Sequence, residues 1–386
     1  MCKFFIANAK AYPFGCISTE TEGISSGLSL ENTFGHFDDF NLSKFYNITK
    51  IDNIDSNIKF VLHSTNAPQN YRIKLESSTV KKINNTANVW LVLVNFLEGH
   101  IDREKLAKSI VKNGIKRKKV IVLTGNYSYH NTTVEGVKYV YADYWESFTR
   151  YHQRFLASAT DRKHINLEAT KKFLCLNRNV KAHRVWFYFN MLRYGVEKHG
   201  HVSYHLPTVN KAEYQQIIVS SLVIKYLPRG LHEEYKAFLR TAETGQSLDA
   251  LGENAINYNT SITKYYNDSL FSIVTESDFR STFLTEKTFK AIVHYHPFFI
   301  IGNPQHHELL RKNGYHTFEE FFETDSVINF DQSSKFLSTI KYNSLQDYKN
   351  KFDQKILDKL HSNYENFYNR SISFNTIEEN LINATR

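Results

Sequence analysis

Hydrophobic positions along this chain form short continuous runs that alternate with amphipathic segments, which is the pattern of an α/β protein. Residues 89–94 and 120–125 are almost wholly apolar, as expected for strands of a parallel sheet that helices cover on both faces. Between them, residues 102–113 predict a helix with apolar residues on one face. Residues 59–62 predict another strand, and the more alternating residues 137–141 fit an edge strand.

The second half of the chain repeats this alternation. Residues 172–176 predict a buried strand, and residues 181–194 predict a long helix that Gly195 stops. We expect one α/β domain at 1–165 and a second α/β domain at 166–345. A C-terminal helical segment at 346–386 follows, with one amphipathic helix over residues 347–368.

The most informative stretch is residues 271–304, which reads as strand, acidic loop, helix and second strand. Residues 271–274 form the first predicted strand and residues 298–302 the second. Thr285 is the predicted N-cap, with its hydroxyl accepting a bond from the first turn, and Pro297 is predicted to end the helix. The helix presents an apolar face made of Phe289, Ile292 and Val293.

The first turn of this predicted helix carries Glu286 and Lys287. A lysine there opposes the helix dipole by roughly 0.3–1 kcal/mol, and a phosphate bound at the helix N-terminus would compensate for it. The simpler alternative is a surface lysine that pairs with Glu286 or with solvent. The surrounding strand–helix–strand unit favours a site for an anionic, ribose-containing ligand.

In order along the chain, Glu276, residues 283–291 (FLTEKTFKA) and residues 297–302 (PFFIIG) resemble the donor-binding motif of the family 10 fucosyltransferases. Exostosin-type glycosyltransferases have a related arrangement. Residues 173–178, at the start of the same predicted domain, give weaker support. Several elements match in order, although none of them is specific alone.

The resemblance implies a GT-B-type glycosyltransferase, with two Rossmann-like domains facing a cleft and an inverting, metal-independent reaction. The acceptor-side α/β domain would be residues 1–165, and the nucleotide-sugar-binding α/β domain would be residues 166–345. Donor binding would fall to Thr285, Glu286 and Lys287, with Glu286 on the ribose hydroxyls and Lys287 on the leaving diphosphate. Glu276 would lie near the donor sugar as a catalytic residue. Arg178 would add a second phosphate contact, or else form a structural salt bridge at the start of a helix.

The sequence departs from this family at two places. The family commonly has Asn-Ser after its first Glu, whereas this chain has Ser277 and Asp278. Fucose is therefore not assumed, and the activity is that of a hexosyl- or pentosyltransferase. Before the proline, where the family has small residues, this chain has His294 and His296. His306 and His307 follow further on, and the spacing of the four histidines fits no standard zinc pattern. We expect neither a metal nor another cofactor beyond the nucleotide-sugar donor.

An inverting transfer needs a general base for the acceptor hydroxyl, and we expect it in the first domain. Glu98, which follows the strand at residues 89–94, is the best placed candidate. Asp38 and Asp39 are a second possibility, and a solvated turn is the alternative for both of them.

Composition sets the class of protein and its expected location. Of the 386 residues, 41% are hydrophobic and 23% are charged, which suits packed cores. We expect a cytoplasmic protein, because the sequence has neither an apolar run of about 18 residues nor an apolar stretch typical of a secretory signal. Three widely spaced cysteines predict neither a disulfide framework nor a zinc site.

The formal charge of +9 points to an acidic partner. Part of the excess lies just before residue 120, in Lys112, Lys116, Arg117, Lys118 and Lys119. This cluster is either a solvated loop at the edge of a sheet or a nucleic-acid contact. The expected acceptor is a carbohydrate or another hydroxyl compound, and a hydroxylated base in DNA is the variant. A non-catalytic nucleic-acid-binding protein is the remaining alternative, and it leaves Glu286 and Lys287 without a role.

Overall fold

The computed structural model describes residues 3–6, 10–12, 16–18, 45–46, 59–64, 73, 75, 77–96, 99, 101–156, 165–177, 181–204, 227–241, 248, 260–324 and 326–386. The chain divides into two compact units. Unit 1 comprises Met1–Tyr151 and Ser371–Arg386, and unit 2 comprises His152–Arg370. The first boundary, at 151/152, lies before the expected 165/166, and the second, at 370/371, lies after the expected 345/346. The last helix therefore belongs with unit 1.

The described elements alternate between strands and helices along most of the chain. The strands are β1 (Lys3–Ile6), β2 (Lys10–Tyr12), β3 (Cys16–Ser18), β4 (Phe45–Tyr46), β5 (Lys59–Ser64), β6 (Val89–Asn95), β7 (Val120–Thr124), β8 (Thr133–Val134), β9 (Val137–Tyr141), β10 (Lys171–Asn177), β11 (Gly200–Tyr204), β12 (Ser269–Thr275) and β13 (Phe298–Ile301). The helices are α1 (Ser77–Asn85), α2 (Arg103–Lys112), α3 (Tyr144–Leu156), α4 (Ala182–Tyr194), α5 (His232–Thr241), α6 (Thr260–Asn267), α7 (Glu286–Val293), α8 (Gln305–Lys312), α9 (Glu319–Phe322), α10 (Phe330–Tyr342), α11 (Leu345–Asn350), α12 (Gln354–Asn369) and α13 (Phe374–Thr385).

Unit 1 contains a sheet in the order β4–β1–β5–β6–β7–β9–β8. All of its pairs are parallel except β8 with β9, which confirms the predicted parallel α/β character. The prediction that residues 137–141 form an edge strand was wrong. The short strand β8 pairs with β9 on its outer side, because the chain turns back there through Glu135 and Gly136, both of which have positive φ.

Helices cover this sheet as the apolar strands predicted. In the core, residues from alternate positions of β6 and β7, such as Leu91 and Val120, pack against Leu106 and Ile110 of α2. The side chain of Asp102 caps α2 by accepting a bond from the backbone N–H of Lys105 at 3.0 Å. Helix α13 packs against β9, which explains why the C-terminal residues belong to this unit.

Unit 2 contains a fully parallel sheet in the order β11–β10–β12–β13. From β10 the chain passes to β11 on one side, and the next strand of the sheet, β12, then pairs with β10 on the other side. The order of the strands therefore reverses between β10 and β12. Ligands of open α/β sheets bind at such a topological switch point, outside the carboxyl ends of the strands.

Two helices of unit 2 end in similar ways. Helix α4 ends at Gly195, which has a φ of 63° and a backbone N–H bonded to Leu192 O at 3.0 Å, as predicted from the glycine. Helix α7 ends at Val293, earlier than the predicted stop at Pro297. Tyr295 takes the left-handed conformation there, with a φ of 60°, where a glycine is more common.

The prediction of a single helix over residues 347–368 was wrong, because this segment forms two helices, α11 and α12. Ser344 and Asp347 form a capping box at the start of α11. Asp353 then caps a new helix by accepting a bond from the N–H of Ile356 at 2.9 Å. These caps favour two helix starts over one continuous helix. Among the described residues, no helix has both the length and the apolar character needed to cross a membrane.

Candidate functional site

The candidate site lies at the switch point of the unit 2 sheet. Strand β10 ends at Asn177 and β12 ends at Thr275, and the hydroxyl of Thr275 donates a hydrogen bond to the side-chain oxygen of Asn177. Glu276 follows β12 directly, and helix α7 begins at Glu286. The site therefore combines the carboxyl ends of two central strands with the N-terminus of a helix.

Glu276 is the centre of a buried hydrogen-bond network. Its Oε1 accepts bonds from the backbone N–H of Thr285 at 3.0 Å and from the hydroxyl of Thr288 at 2.7 Å. Its Oε2 accepts bonds from the hydroxyl of Thr285 at 2.6 Å and from the backbone N–H of Ser277 at 3.2 Å. The residue is 0% exposed. A catalytic role for Glu276 stays a prediction, but these contacts are those of a carboxylate that holds the start of α7 in place.

Thr285 is the N-cap of α7, as predicted, but its hydroxyl does not accept the expected bond from the first turn. The hydroxyl donates to Glu276 instead. Glu276 also accepts the backbone N–H of Thr285, which is the bond that the third helical residue of a capping box usually accepts. A side chain nine residues earlier in the chain thus supplies part of the helix cap, and local spacing did not predict it.

The ammonium of Lys287 lies at the first turn of α7. Its Nζ donates to Glu286 Oε1 at 2.8 Å, to Thr285 Oγ1 at 3.1 Å and to Ser277 Oγ at 3.2 Å. The Lys287 side chain is 25% exposed, so part of it contacts solvent. The structure therefore brings together three of the predicted donor-binding residues and connects them to Glu276.

Glu286 is ionised at neutral pH. Burial alone would raise the pKa of its carboxyl, but the charges of Lys287 and Lys290 and the hydrogen bond from Lys287 hold the pKa at about 2. The side chain is 17% exposed. The first turn of α7 therefore presents a carboxylate and an ammonium side by side, with part of each in contact with solvent.

His183 and Arg184, on the first turn of α4, bind the backbone at the end of β12. Arg184 donates from Nη2 to Thr275 O at 2.9 Å and to Glu276 O at 3.2 Å. His183 Nε2 lies 2.8 Å from Glu276 O, so this nitrogen carries the proton and donates it. Burial lowers the pKa of His183 to about 3, and the adjacent Arg184 charge acts in the same direction, so the ring is neutral.

The sequence reasoning missed both of these residues. A signal for Arg184 was present, because a cation stands inside a helix whose faces are otherwise largely apolar (AHRVWFYFNMLRY). A charged residue in such a helix is expected to be paired or to contact backbone carbonyls. Its partners could not be read from the sequence, since they lie 91 and 92 positions away.

The histidines after α7 take part in local contacts. His296 donates from Nε2 to Tyr266 O at 2.8 Å and accepts from Ser272 Oγ at 3.0 Å through Nδ1. His306 donates from Nδ1 to Asn303 O at 2.9 Å and accepts the N–H of Phe283 at 3.2 Å. The two others have local bonds as well, His294 to Lys290 O and His307 to Glu319. In the part of the chain that the structure describes, no group of three or more His, Cys, Asp or Glu residues is arranged to hold a metal ion.

Four predicted site residues lie outside the described residues. They are Glu98, Asp38 and Asp39 of the predicted acceptor side, and Arg178 of the predicted donor side. Their roles stay predictions.

The basic cluster before β7 is partly used in local structure. Lys119 Nζ donates to three backbone carbonyls, Thr86 O at 2.7 Å, Ala87 O at 2.6 Å and Val89 O at 3.3 Å. Burial lowers the pKa of Lys119. Arg117 pairs with Glu135 at 3.1 Å. The Lys119 bonds hold the amino ends of β6 and β7 together, and the Arg117 pair reaches the turn between β8 and β9. Both favour the interpretation as a loop at the edge of the sheet.

The arrangement at α7 suits an anionic ligand that also carries hydroxyl groups. An ammonium at a helix N-terminus attracts phosphate oxygens, and an ionised carboxylate beside it accepts hydrogen bonds from hydroxyls. Comparison of the chain with known protein families, with curated protein sequences and with solved structures gave no significant match. The inference of function therefore rests on the site itself.

Proposed function

We propose that this protein is a glycosyltransferase that moves a sugar from a nucleotide-diphosphate sugar to an acceptor hydroxyl. The observation that carries the proposal is the position of Lys287 and Glu286. They form a partly exposed ammonium–carboxylate pair on the first turn of a helix that begins at the switch point of a parallel sheet.

Each charge has a role in such a reaction. Lys287 stabilises the negative charge that develops on the leaving diphosphate, which is the role of a divalent metal in other transferases. Glu286, held ionised, accepts hydrogen bonds from the ribose hydroxyls of the donor. Transfer is proposed to invert the anomeric centre, with the diphosphate departing towards Lys287 and a carboxylate, Glu98 in our prediction, taking the proton of the acceptor hydroxyl.

The proposed architecture is of the GT-B type. The parallel sheet in each of the two compact units supports it. Within this proposal Glu276 is a positioning residue, because its carboxylate is buried and accepts four hydrogen bonds from the protein.

A thermal-shift screen tests the donor side of the proposal. UDP, GDP, ADP and CMP, each free and as sugar conjugates, are added to the wild type and to Lys287→Ala. We expect at least one nucleotide diphosphate to raise the Tm of the wild type, and we expect Lys287→Ala to lose most of that rise. Lys312→Ala, which removes an exposed cation from the last turn of α8, is the matched control and retains it.

The nucleotide that binds is then supplied as its radiolabelled sugar conjugate. Transfer of label to carbohydrate acceptors, or to water in their absence, measures the reaction itself. If no nucleotide shifts the Tm of the wild type, the proposal is wrong. If nucleotides bind but label is neither transferred nor released, the site is a binding site and the enzymatic part is wrong.

A further inference from the structure

The three donors of the Lys287 ammonium are all used within the protein. An ammonium has three N–H groups, and Lys287 Nζ has three oxygen partners, Glu286 Oε1, Thr285 Oγ1 and Ser277 Oγ. A phosphate oxygen that binds Lys287 must therefore replace one of these partners or share a proton with it.

Glu286 is the partner that a phosphate replaces most readily. Its side chain is 17% exposed, so it can turn towards solvent or towards ligand hydroxyls. Replacing a carboxylate by a phosphate oxygen also leaves the ammonium paired with an anion. Thr285 is only 1% exposed and is held by two bonds to Glu276, so it keeps its place.

The proton of the Thr285 hydroxyl has a fixed direction. A hydroxyl has one proton and two lone pairs, and Thr285 Oγ1 gives its proton to Glu276 Oε2 at 2.6 Å. Each oxygen of Glu276 also faces a backbone N–H, so Glu276 accepts hydrogen bonds here, and the hydroxyl proton cannot point elsewhere without losing this bond. The lone pairs of Thr285 are therefore left to face Lys287 Nζ, 3.1 Å away.

We propose that Thr285, with its proton held by Glu276, is a positioning residue that keeps the Lys287 ammonium at the N-terminus of α7 when a ligand phosphate displaces Glu286 from it. The proposal rests on the proposed function, since it needs a phosphate ligand at this helix. It adds that the buried carboxylate of Glu276 orients the hydroxyl of Thr285, and that this hydroxyl positions the Lys287 ammonium that binds the phosphate.

A double-mutant cycle between positions 285 and 287 tests whether Thr285 affects phosphate binding through Lys287. The probe is inorganic pyrophosphate, and its Kd is measured by titration calorimetry for the wild type, Thr285→Val, Lys287→Met and the double variant. We expect Thr285→Val to weaken binding about tenfold when Lys287 is present. In the Lys287→Met background the same change is expected to alter the Kd by less than about twofold.

Thr288→Val is the matched control. It also removes one hydroxyl bond to Glu276, at 2.7 Å, and it is equally buried, but Thr288 makes no hydrogen bond to Lys287 among the described contacts. We expect it to lower stability and to leave the pyrophosphate Kd within about twofold. Thr285→Ser keeps the hydroxyl and is expected to bind nearly as the wild type does.

The outcomes separate this inference from the proposed function. If Thr285→Val weakens pyrophosphate equally with and without Lys287, the positioning role is wrong while phosphate binding stands. If Thr288→Val weakens binding as much as Thr285→Val, the effect is a general loss of structure, and the inference is wrong again. If the wild type binds neither pyrophosphate nor any nucleotide, both proposals fail. If Thr285→Val does not fold, Thr285→Cys takes its place in the cycle. Cysteine is close to threonine in volume, and its sulfur is only a weak hydrogen-bond acceptor.

Discussion

Glu276 accepts both the backbone N–H and the hydroxyl of Thr285, through different oxygens of one carboxylate. Each of these oxygens also receives a second donor, from Thr288 or from the backbone of Ser277. The Glu276 side chain thereby joins the end of β12 to the start of α7. The position of Lys287 depends on this connection, since Thr285 and Ser277 are two of its three partners.

Glu276→Gln is expected to destabilise the protein by about 3 kcal/mol or more. Both carboxylate oxygens face a backbone N–H, so the amide NH₂ of glutamine meets a donor in either orientation. Urea unfolding followed by circular dichroism measures the loss. Glu308→Gln, on the exposed side of α8, is the control, and we expect a change within about 0.5 kcal/mol. Equal stability of the two variants would contradict the network.

His183 is expected to make the protein less stable as the pH falls below 6.5. Burial depresses its folded-state pKa from 6.5 to about 3, so the unfolded chain binds the proton first. The contribution is complete above pH 6.5 and is lost at up to about 1.4 kcal/mol per pH unit below it. Urea unfolding at pH 6.5 and pH 5.0 measures this slope.

His183→Gln removes the titrating group while keeping a side-chain donor for Glu276 O, so its stability should fall less over the same range. His316→Gln, at an exposed position, is the matched control and should keep the wild-type pH dependence. An unchanged slope in His183→Gln would show that the ring does not titrate as inferred.

Lys119→Met is expected to cost about 1–3 kcal/mol, because three backbone carbonyls lose an ammonium donor. The adjacent Lys118 is exposed, and Lys118→Met is expected to change stability by less than about 0.5 kcal/mol. Thermal unfolding of the two variants is compared with that of the wild type. A similar Tm for both variants would mean that the buried position of Lys119 contributes nothing.

The pattern of apolar residues predicted the central strands of both sheets, because the period of the pattern follows directly from strand and helix geometry. The helix before Gly195 was also predicted, since a glycine in the left-handed conformation marks its end. The pattern did not predict the strands β1, β4 and β11. The errors fall where non-local pairing or capping decides the structure. Strand β8 is too short to give a pattern, and the break between α11 and α12 depends on caps within an amphipathic run.

The candidate site was only partly predictable for the same reason. Thr285, Glu286 and Lys287 are neighbours in sequence and could be read as one helix start. Thr285 is held by Glu276, nine positions away, and Lys287 is held in part by Ser277, ten positions away. His183 and Arg184 reach the site from a different helix. Hydrogen bonds of this range depend on the order of the strands, which sequence periodicity does not report.

Glu286→Gln gives the sharpest test of how the first turn of α7 selects its ligand. The change removes the anion that pairs with Lys287 at 2.8 Å in the free protein. Inorganic pyrophosphate should then bind more tightly, by roughly tenfold, because one repulsive charge and one competitor for the ammonium are gone. The nucleoside diphosphate that binds the wild type should gain less affinity than pyrophosphate does, or should lose affinity, because its ribose hydroxyls lose a charged acceptor.

The measured quantity is the ratio of the two dissociation constants, obtained by titration calorimetry for the wild type and for Glu286→Gln. We expect the preference for the nucleoside diphosphate over pyrophosphate to fall at least tenfold, while Glu308→Gln keeps the wild-type ratio. A ratio that does not change in Glu286→Gln would show that this carboxylate does not contact the nucleoside. The ribose would then have to be recognised by other residues, and Glu286 would act only as the counter-ion of Lys287.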